Sequence, residues 1–438
     1  MARKIERHIN ELYRDDPERA DAVVFGRRGF LKGASLAALG VAVGNTIPFS
    51  ANMPSGLVPA ALAQDTPDAG PQYLRFPGKD EGLIVLGERP LVAETPESLL
   101  DDETTPVEKF FVRNNGQIPD QVADGDAWVM NIDGEVNSPM QISVGDLKSR
   151  FENVTLRMVL ECGGNGRSFF SPEARGNQWT NGGAGCAEWT GVRLRDVLQA
   201  AGLKPSAVYT GNFGADSHLS GDPEKQALSR GVPIDKALEE HSLLVFGMNG
   251  EPLPNIHGYP IRLVIPGWPG SASHKWLNRI TIRDKVHDGQ GMGGFSYRVM
   301  KTPIIPGSEG DEADTRILES MPVRSIITSP ANGTELPAGA RELSLRGAAW
   351  DGDHEIRVVE VSIDYGVTWV KAEMQPAKNR YDWRRWTAQV ALPSHGYFEV
   401  WSKATDSEGV TQPHIAGNWN PQGYGGNPFH RIAVLIPA

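Results

Sequence analysis

Two cysteines in 438 residues, Cys162 and Cys186, are too few for a disulfide-built scaffold or a four-cysteine zinc site. No CxxCH occurs, so the chain carries no covalently attached c-type haem. Positive charge is in deficit: 43 Lys and Arg stand against 54 Asp and Glu, a formal net charge of -11. That balance argues against a general nucleic-acid binder, which would need a basic footprint. An anionic ligand must therefore be drawn in by a local basic pocket, against the field of the whole molecule. Also missing is an unbroken apolar run of the roughly 20 residues that a membrane-spanning helix needs. What remains is the composition of a folded globular protein, 39% hydrophobic and 22% charged. The 49 glycines and 32 prolines predict many turns and sheet-rich domains with long loops. The length predicts two or three domains.

Residues 26–33 read GRRGFLKG, with Arg27 and Arg28 ahead of an apolar stretch at 34–43. Ala61-Leu62-Ala63 has the small-x-small form of a signal-peptidase site. Residues 1–63 thus resemble a twin-arginine (Tat) export signal cleaved near Ala63, which predicts a periplasmic protein with no membrane span in the mature chain. That route resembles one used by proteins that fold around a cofactor before export.

Residues 64–105, rich in Pro, Gly, Asp and Glu, read as an extended arm over a domain surface. From Phe110 onward, FFVRN, AWVMNIDGEV and TLRMVLEC are short apolar or alternating stretches bounded by Gly, Asn and Asp, the pattern of strands. Apolar spacing of three to four predicts helices over 143–150 and 192–201, and IRLVIPG at 261–267 reads as a buried strand. An acidic linker follows at 307–322. Beyond it, short strands are parted by Asn-Gly, Asp-Gly, Tyr-Gly and Glu-Gly turns, which predicts an immunoglobulin-like β-sandwich without a disulfide. The fold class is α+β: a mixed domain over 64–318, then a sandwich over 319–438.

The segment with the most chemistry is Leu160-Glu161-Cys162-Gly163-Gly164-Asn165-Gly166-Arg167-Ser168. A cysteine at the end of a strand can offer a thiolate to a soft or high-valent metal. The glycines after it allow close backbone approach to a bulky ligand. Arg167, with Arg113 in FFVRN, would supply planar, permanently charged donors for an oxyanion. On this loop alone, a buried inert cysteine beside a surface arginine is the favoured description.

The loop resembles that of the sulfite oxidase family of molybdenum enzymes, closest to bacterial periplasmic sulfite dehydrogenases with a haem-free molybdenum subunit. The resemblance extends from about Phe110 to Ala438, through FFVRN, ECGGNGRS, the Trp179–Trp189 interval, MNGEPLPNIHGYPIRLVIPG, SASHKWLNRI, VSIDYGVTW and GNWNPQGYGGNPFHR. It implies molybdenum bound to molybdopterin, with Cys162 as the single protein ligand. It implies Arg113 and Arg167 in the anion pocket, Trp179 as its aromatic wall, and Tyr297 at the reacting atoms. Asn114, Asn115, Asp216, His257, Arg262, Ser273, His274 and Lys275 would hold the pterin and its phosphate.

Three positions depart from the family: Asn115 stands where His is common, Glu188 replaces an arginine, and Gln422, at the substrate site, replaces another. The expected activity is sulfite oxidation, with electrons passed to a separate c-type cytochrome by a homodimeric protein. A sulfane-sulfur dehydrogenase of thiosulfate oxidation and a non-enzymatic exported binding protein are the alternatives. A Cys162–Cys186 disulfide, which would remove the metal ligand, is not expected, and Cys186 is given no chemistry.

Overall fold

The structure is a computed structural model that describes residues 70–438. The predicted export signal at 1–63 lies outside the described residues. Among the described residues, two five-stranded sheets and three α-helices, the shortest at Ile234–Ala237, make up most of the first half. One sheet has the order Glu251–Pro252, Leu243–Met248, Ala184–Arg193, Asn153–Glu161, with Arg262–Val264 also pairing to Leu243–Met248. The other runs Met140–Ser143, Val129–Gly134, Leu277–Arg283, Tyr209–Gly214, Ser229–Arg230; its Val129–Gly134 and Leu277–Arg283 strands are parallel.

The predicted helices form at Val144–Arg150 and Leu194–Ala201. Ser143 caps the first by accepting from the Asp146 N–H at 3.0 Å. Gly202, at φ 70, ends the second, which buries Leu194, Val197, Leu198 and Ala201 at the predicted spacing. These helices pack with Met130, Ile132, Leu244, Leu263, Ile280 and Ile282 in one core drawn from both sheets. Strand alternation divides Leu243–Met248: Leu244 faces that core, while Leu243 and Val245 face a second one with Met158, Leu160, Trp189 and Cys162.

The 64–105 segment departs from expectation. Within it, Ile84–Glu88 and Leu91–Glu94 form a hairpin, and Val92 pairs with Arg113. Leu83, Val92, Ala93 and Leu100 are fully buried. The chain here is part of the scaffold that presents Arg113, because the Leu91–Glu94 strand of this hairpin pairs with the distant Val112–Arg113 strand. The acidic linker is likewise tied down: Thr315–Ile317 pairs with Arg298–Met300, and the Leu318 N–H donates to the Tyr297 carbonyl at 2.9 Å.

The second half is the expected immunoglobulin-like sandwich. A sheet of Arg324–Ser329, Glu342–Trp350, Arg384–Ala391 and Glu373–Met374 faces one of Thr334–Glu335, His430–Ile436, Gly396–Asp406, Ile356–Ser362 and Val370–Lys371. Leu345, Trp386, Val359, Val361, Val400 and Val434 fill the space between. The sandwich grips the strand that ends at Cys162. Arg157 makes two bonds to Asp382, at 2.8 and 2.7 Å, and the Val159 N–H donates to the Tyr381 carbonyl at 2.9 Å. Among the described residues no helix is long and apolar enough to cross a membrane.

Candidate active site

Cys162 leaves the Asn153–Glu161 strand held by its own N–H, which donates to the Gly183 carbonyl at 2.8 Å. Asn165, fully buried, folds the loop back on itself: it donates to Glu161 Oε1 at 2.9 Å and accepts from the Gly183 N–H at 3.0 Å. Gly166 sits at φ 83, and a Cβ there would lie 2.0 Å from the Gly426 carbonyl oxygen, so no other residue fits. Arg324, also fully buried, clamps the same loop from the sandwich side through Glu161, Asn181, and the Asn165 and Gly426 carbonyls.

Both cysteines are free. Cys186 packs in a separate cluster with Val159 and Trp350, its thiol 3.4 Å from Asp382 Oδ1 and pushed up by burial. Cys162 lines a cavity of about 70 Å³. Ten of the residues singled out from the sequence line it: Arg113, Asn115, Cys162, Asp216, His257, Arg262, Ser273, His274, Lys275 and Tyr297. Asn114, Arg167, Trp179 and Gln422 do not.

The four outside the lining support those within it. Asn114 is buried, donates to the Leu91 carbonyl at 3.1 Å and accepts from Lys275 Nζ. Trp179 is fully buried edge-on to Phe111, at 5.9 Å and 86°, in the cluster that holds Cys162; its indole N–H has no partner. Arg167 donates from Nε to the Gln422 carbonyl at 2.6 Å and from Nη1 to the Asn177 carbonyl at 2.9 Å. Gln422 therefore acts here through its backbone. Glu188 lies outside the cavity too, paired at 3.2 Å with Lys378.

The cavity is built to hold negative charge. Arg113 Nη1, Arg262 Nε, His274 Nδ1 and Ser271 Oγ are buried polar atoms without a partner. Arg262 donates to the His257 and Ser273 carbonyls at 2.9 and 3.1 Å and meets no carboxylate. Burial holds Lys275 well below the usual ammonium range, with Arg262 pushing the same way. Burial likewise keeps His257 far below the usual imidazole range and brings His274 to about 3, so both are neutral. Nε2 of His274 accepts from the Arg230 N–H at 3.3 Å, which leaves Nδ1 as the protonated nitrogen facing the unfilled side. The cavity's one carboxyl, Asp216, is raised by burial, an effect that Lys275 opposes. The Ser273 hydroxyl accepts from the Ile265 N–H at 2.9 Å, which fixes its oxygen and leaves its O–H free to donate.

Sequence reading missed three residues. Lys79 is buried behind His257, donating to its Nε2 at 2.9 Å and to the Val107 and Phe110 carbonyls at 2.5 and 2.6 Å. Burial brings its ammonium down to about 7. Arg230 and Tyr424 flank Tyr297: the Arg230 guanidinium lies 4.8 Å from the Tyr297 ring centre, and the Tyr424 ring stacks on it at 5.2 Å. No local motif marks any of the three. The nearest signal is glycine beside each, in Gly78-Lys79, Arg230-Gly231 and Gly423-Tyr424-Gly425.

These residues suit a phosphate-bearing, metal-carrying cofactor. Unfilled donors and excess cations match an anionic organic group, and one buried thiol matches a metal that brings its other ligands with it. In keeping with that, no cluster of three or more His, Cys, Asp or Glu able to hold a metal occurs among the described residues.

Comparison with known proteins agrees. Residues 115–290 match the family described as oxidoreductase molybdopterin binding domain, and 315–436 match the Mo-co oxidoreductase dimerisation domain. Sulfite oxidase of Gallus gallus is 32% identical over 384 residues, covering 84% of this chain and 81% of that protein. Sulfite oxidase of Arabidopsis thaliana is 29% identical over 83% of this chain and 97% of its own length. The sulfane dehydrogenase SoxCD from Paracoccus pantotrophus superposes with a TM-score of 0.66 at 26% identity, covering 84% of this chain and 90% of that one. A family-wide cofactor and a cavity fitted to it set aside the non-enzymatic reading, and the chain belongs to the sulfite oxidase family of molybdenum-cofactor oxidoreductases.

Proposed function

We propose that this chain is a periplasmic sulfite dehydrogenase that oxidises sulfite to sulfate and passes electrons one at a time to an external c-type cytochrome. The observation that carries the proposal is the unpartnered Arg113 Nη1 in the same cation-rich cavity as Cys162. When bound, the molybdenum cofactor supplies the oxygen-atom transfer and takes up two electrons.

The chain's own residues do the rest. Cys162 offers the thiolate that anchors the metal. His257, Arg262, His274 and Lys275 hold the organic part, with Asp216 and Asn115 completing its hydrogen bonds and Asn114 steadying Lys275. Arg113 neutralises the sulfite oxygens and the charge that spreads onto the sulfate-like oxygens as the reaction proceeds, with Arg167 adding positive charge from behind the cavity wall. Tyr297, whose hydroxyl reaches Asn115 Oδ1 at 3.3 Å, offers a donor at the reacting atoms. Phe110 and Phe111, backed by Trp179, form an apolar wall, which lowers the local dielectric and strengthens charge interactions inside.

Arg27-Arg28 supports export, and the net charge of -11 supports attraction of a basic cytochrome, a salt-sensitive effect on association rate. The dimerisation-domain match supports a two-fold homodimer. A second reading, a sulfane-sulfur dehydrogenase, is favoured by one observation: Gln422 brings no side-chain charge to the cavity. Steady-state turnover of sulfite with cytochrome c tests the proposal. Sulfite-dependent reduction is expected; negligible turnover of sulfite alongside turnover of a thiol-bound sulfane would reverse the ranking.

A further inference from the structure

We propose that Arg230 and Tyr424 are positioning residues of the anion pocket, holding Tyr297 and Arg167 in register as members of one stacked column. The inference rests on the reading above that Tyr297 and Arg167 serve the reacting anion. Neither Arg230 nor Tyr424 lines the cavity, so neither touches a ligand there.

Arg230 is fully buried and, among the described residues, meets no carboxylate. Its guanidinium donates only to the Gly291 and Leu318 carbonyls, at 3.1 and 3.5 Å, and its Nε has no partner. A buried cation so poorly paired is costly to keep. What offsets the cost is the Tyr297 ring, whose negative π-face meets the guanidinium at 4.8 Å. Tyr297 needs such a hold. Its φ of 49 lies in the left-handed region that an aromatic residue rarely adopts, so contacts outside its own backbone must keep it there. Arg230 supplies two of them, the ring contact and the bond to Leu318, the residue that donates to the Tyr297 carbonyl.

Tyr424 links this pair to the substrate arginine. Its ring stacks on Tyr297 at 5.2 Å and 19°, and the Arg167 guanidinium lies 5.3 Å from its centre. The segment carrying Tyr424 is fixed independently. Asn420 accepts from the Tyr424 N–H at 3.0 Å and donates to its carbonyl at 2.9 Å. Gly425 donates to the Gly163 carbonyl at 3.1 Å, beside Cys162. Arg230, Tyr297, Tyr424 and Arg167 thus form an alternating file of cation, ring, ring and cation. Loss of Arg230 bares one face of Tyr297, and loss of the Tyr424 ring removes both the stack on Tyr297 and the contact that orients Arg167 alongside its bonds to the Gln422 and Asn177 carbonyls.

The test uses the full chain loaded with cofactor and four variants, Arg230→Met, Arg230→Lys, Tyr424→Leu and Tyr424→Phe, with all values expressed per bound molybdenum. Arg230→Met is expected to lower kcat for sulfite about tenfold, and Arg230→Lys to recover part of that loss. In a Tyr297→Phe background Arg230→Met should have little further effect, because its route runs through the tyrosine. Tyr424→Leu should raise both KM for sulfite and the Kd for sulfate, measured by calorimetry, about tenfold, and Tyr424→Phe should recover most of it. An equal loss from Arg230→Met with and without Tyr297, or a sulfate Kd unchanged in Tyr424→Leu, would overturn the inference. If the wild type does not oxidise sulfite, the functional reading fails by itself, and the sulfate Kd still decides the role of Tyr424.

Discussion

Replacing Arg324 by Met tests whether the sandwich holds the Cys162 loop. Arg324 is fully buried and donates to Glu161 Oε1 at 2.9 Å, Asn181 Oδ1 at 3.1 Å and the Asn165 carbonyl at 3.2 Å, besides the Gly426 carbonyl. Methionine fills much of the volume but leaves the Glu161 carboxylate buried with only Asn165 and the Trp350 indole N–H, which donates at 2.7 Å. Breaking one side of a buried pair costs about 3–5 kcal/mol. Spread over a unit of about 370 residues, with about 2.1 cal/mol/K of unfolding entropy per residue, that loss lowers Tm by about 4–6 °C. Neutralising the stranded partner, in Arg324→Met with Glu161→Gln, should return about half of it. Because Glu161 precedes Cys162 and Gly426 faces Gly166, the single variant should also bind less molybdenum. The assays are differential scanning calorimetry and metal analysis. A Tm within 1 °C of wild type, with full metal content, would refute the claim that this pair fixes the loop.

Three further outcomes are expected. Arg113→Ala removes an unpartnered buried donor, and at about 1.5–3 kcal/mol for a charged hydrogen bond it should raise KM for sulfite tenfold or more; an unchanged KM would show that the anion binds elsewhere. Lys79→Met leaves His257 Nε2 and two carbonyls without a donor, so the purified protein should carry less pterin, measured by the fluorescence of its oxidised form; unchanged pterin content would make Lys79 a packing residue only. Asp351, raised to about 7 by burial and by Asp406, is a carboxyl that destabilises the fold when ionised. A carboxyl raised on folding contributes its full stability below its unfolded pKa and loses it as pH rises through the folded value. Asp351→Asn should therefore stabilise little at pH 4 and progressively more up to about pH 7, then level off; a gain independent of pH would contradict this assignment.

Much of this architecture was legible because its signals are local. The helices at Val144–Arg150 and Leu194–Ala201 carry their own apolar spacing, a serine cap and a terminal glycine. The sandwich announces itself by strands and turns at short intervals, and ECGGNGRS by glycines that only a crowded loop requires. What stayed hidden depends on distant partners. The Ile84–Glu88 and Leu91–Glu94 hairpin is too short to stand out, and the burial of Leu91–Glu94 depends on distant partners, Val112–Arg113 among them. The linker reads as acidic and loose, yet Thr315–Ile317 and Leu318 hold the backbone around Tyr297. Lys79 and Arg230 are single cations in unremarkable surroundings, whose burial is decided by contacts 178 and 67 positions away, to His257 and Tyr297. Gln422 is placed at the substrate site by resemblance alone, and no local signal announces that its carbonyl anchors Arg167.

The most direct test of the account is the molybdenum content of protein purified from a molybdenum-replete host, compared among wild type, Cys162→Ser and Cys186→Ser. The account predicts about one molybdenum per chain in the wild type and in Cys186→Ser, and a near-complete loss in Cys162→Ser. Folded wild-type protein without the metal, or undiminished metal in Cys162→Ser, would contradict it.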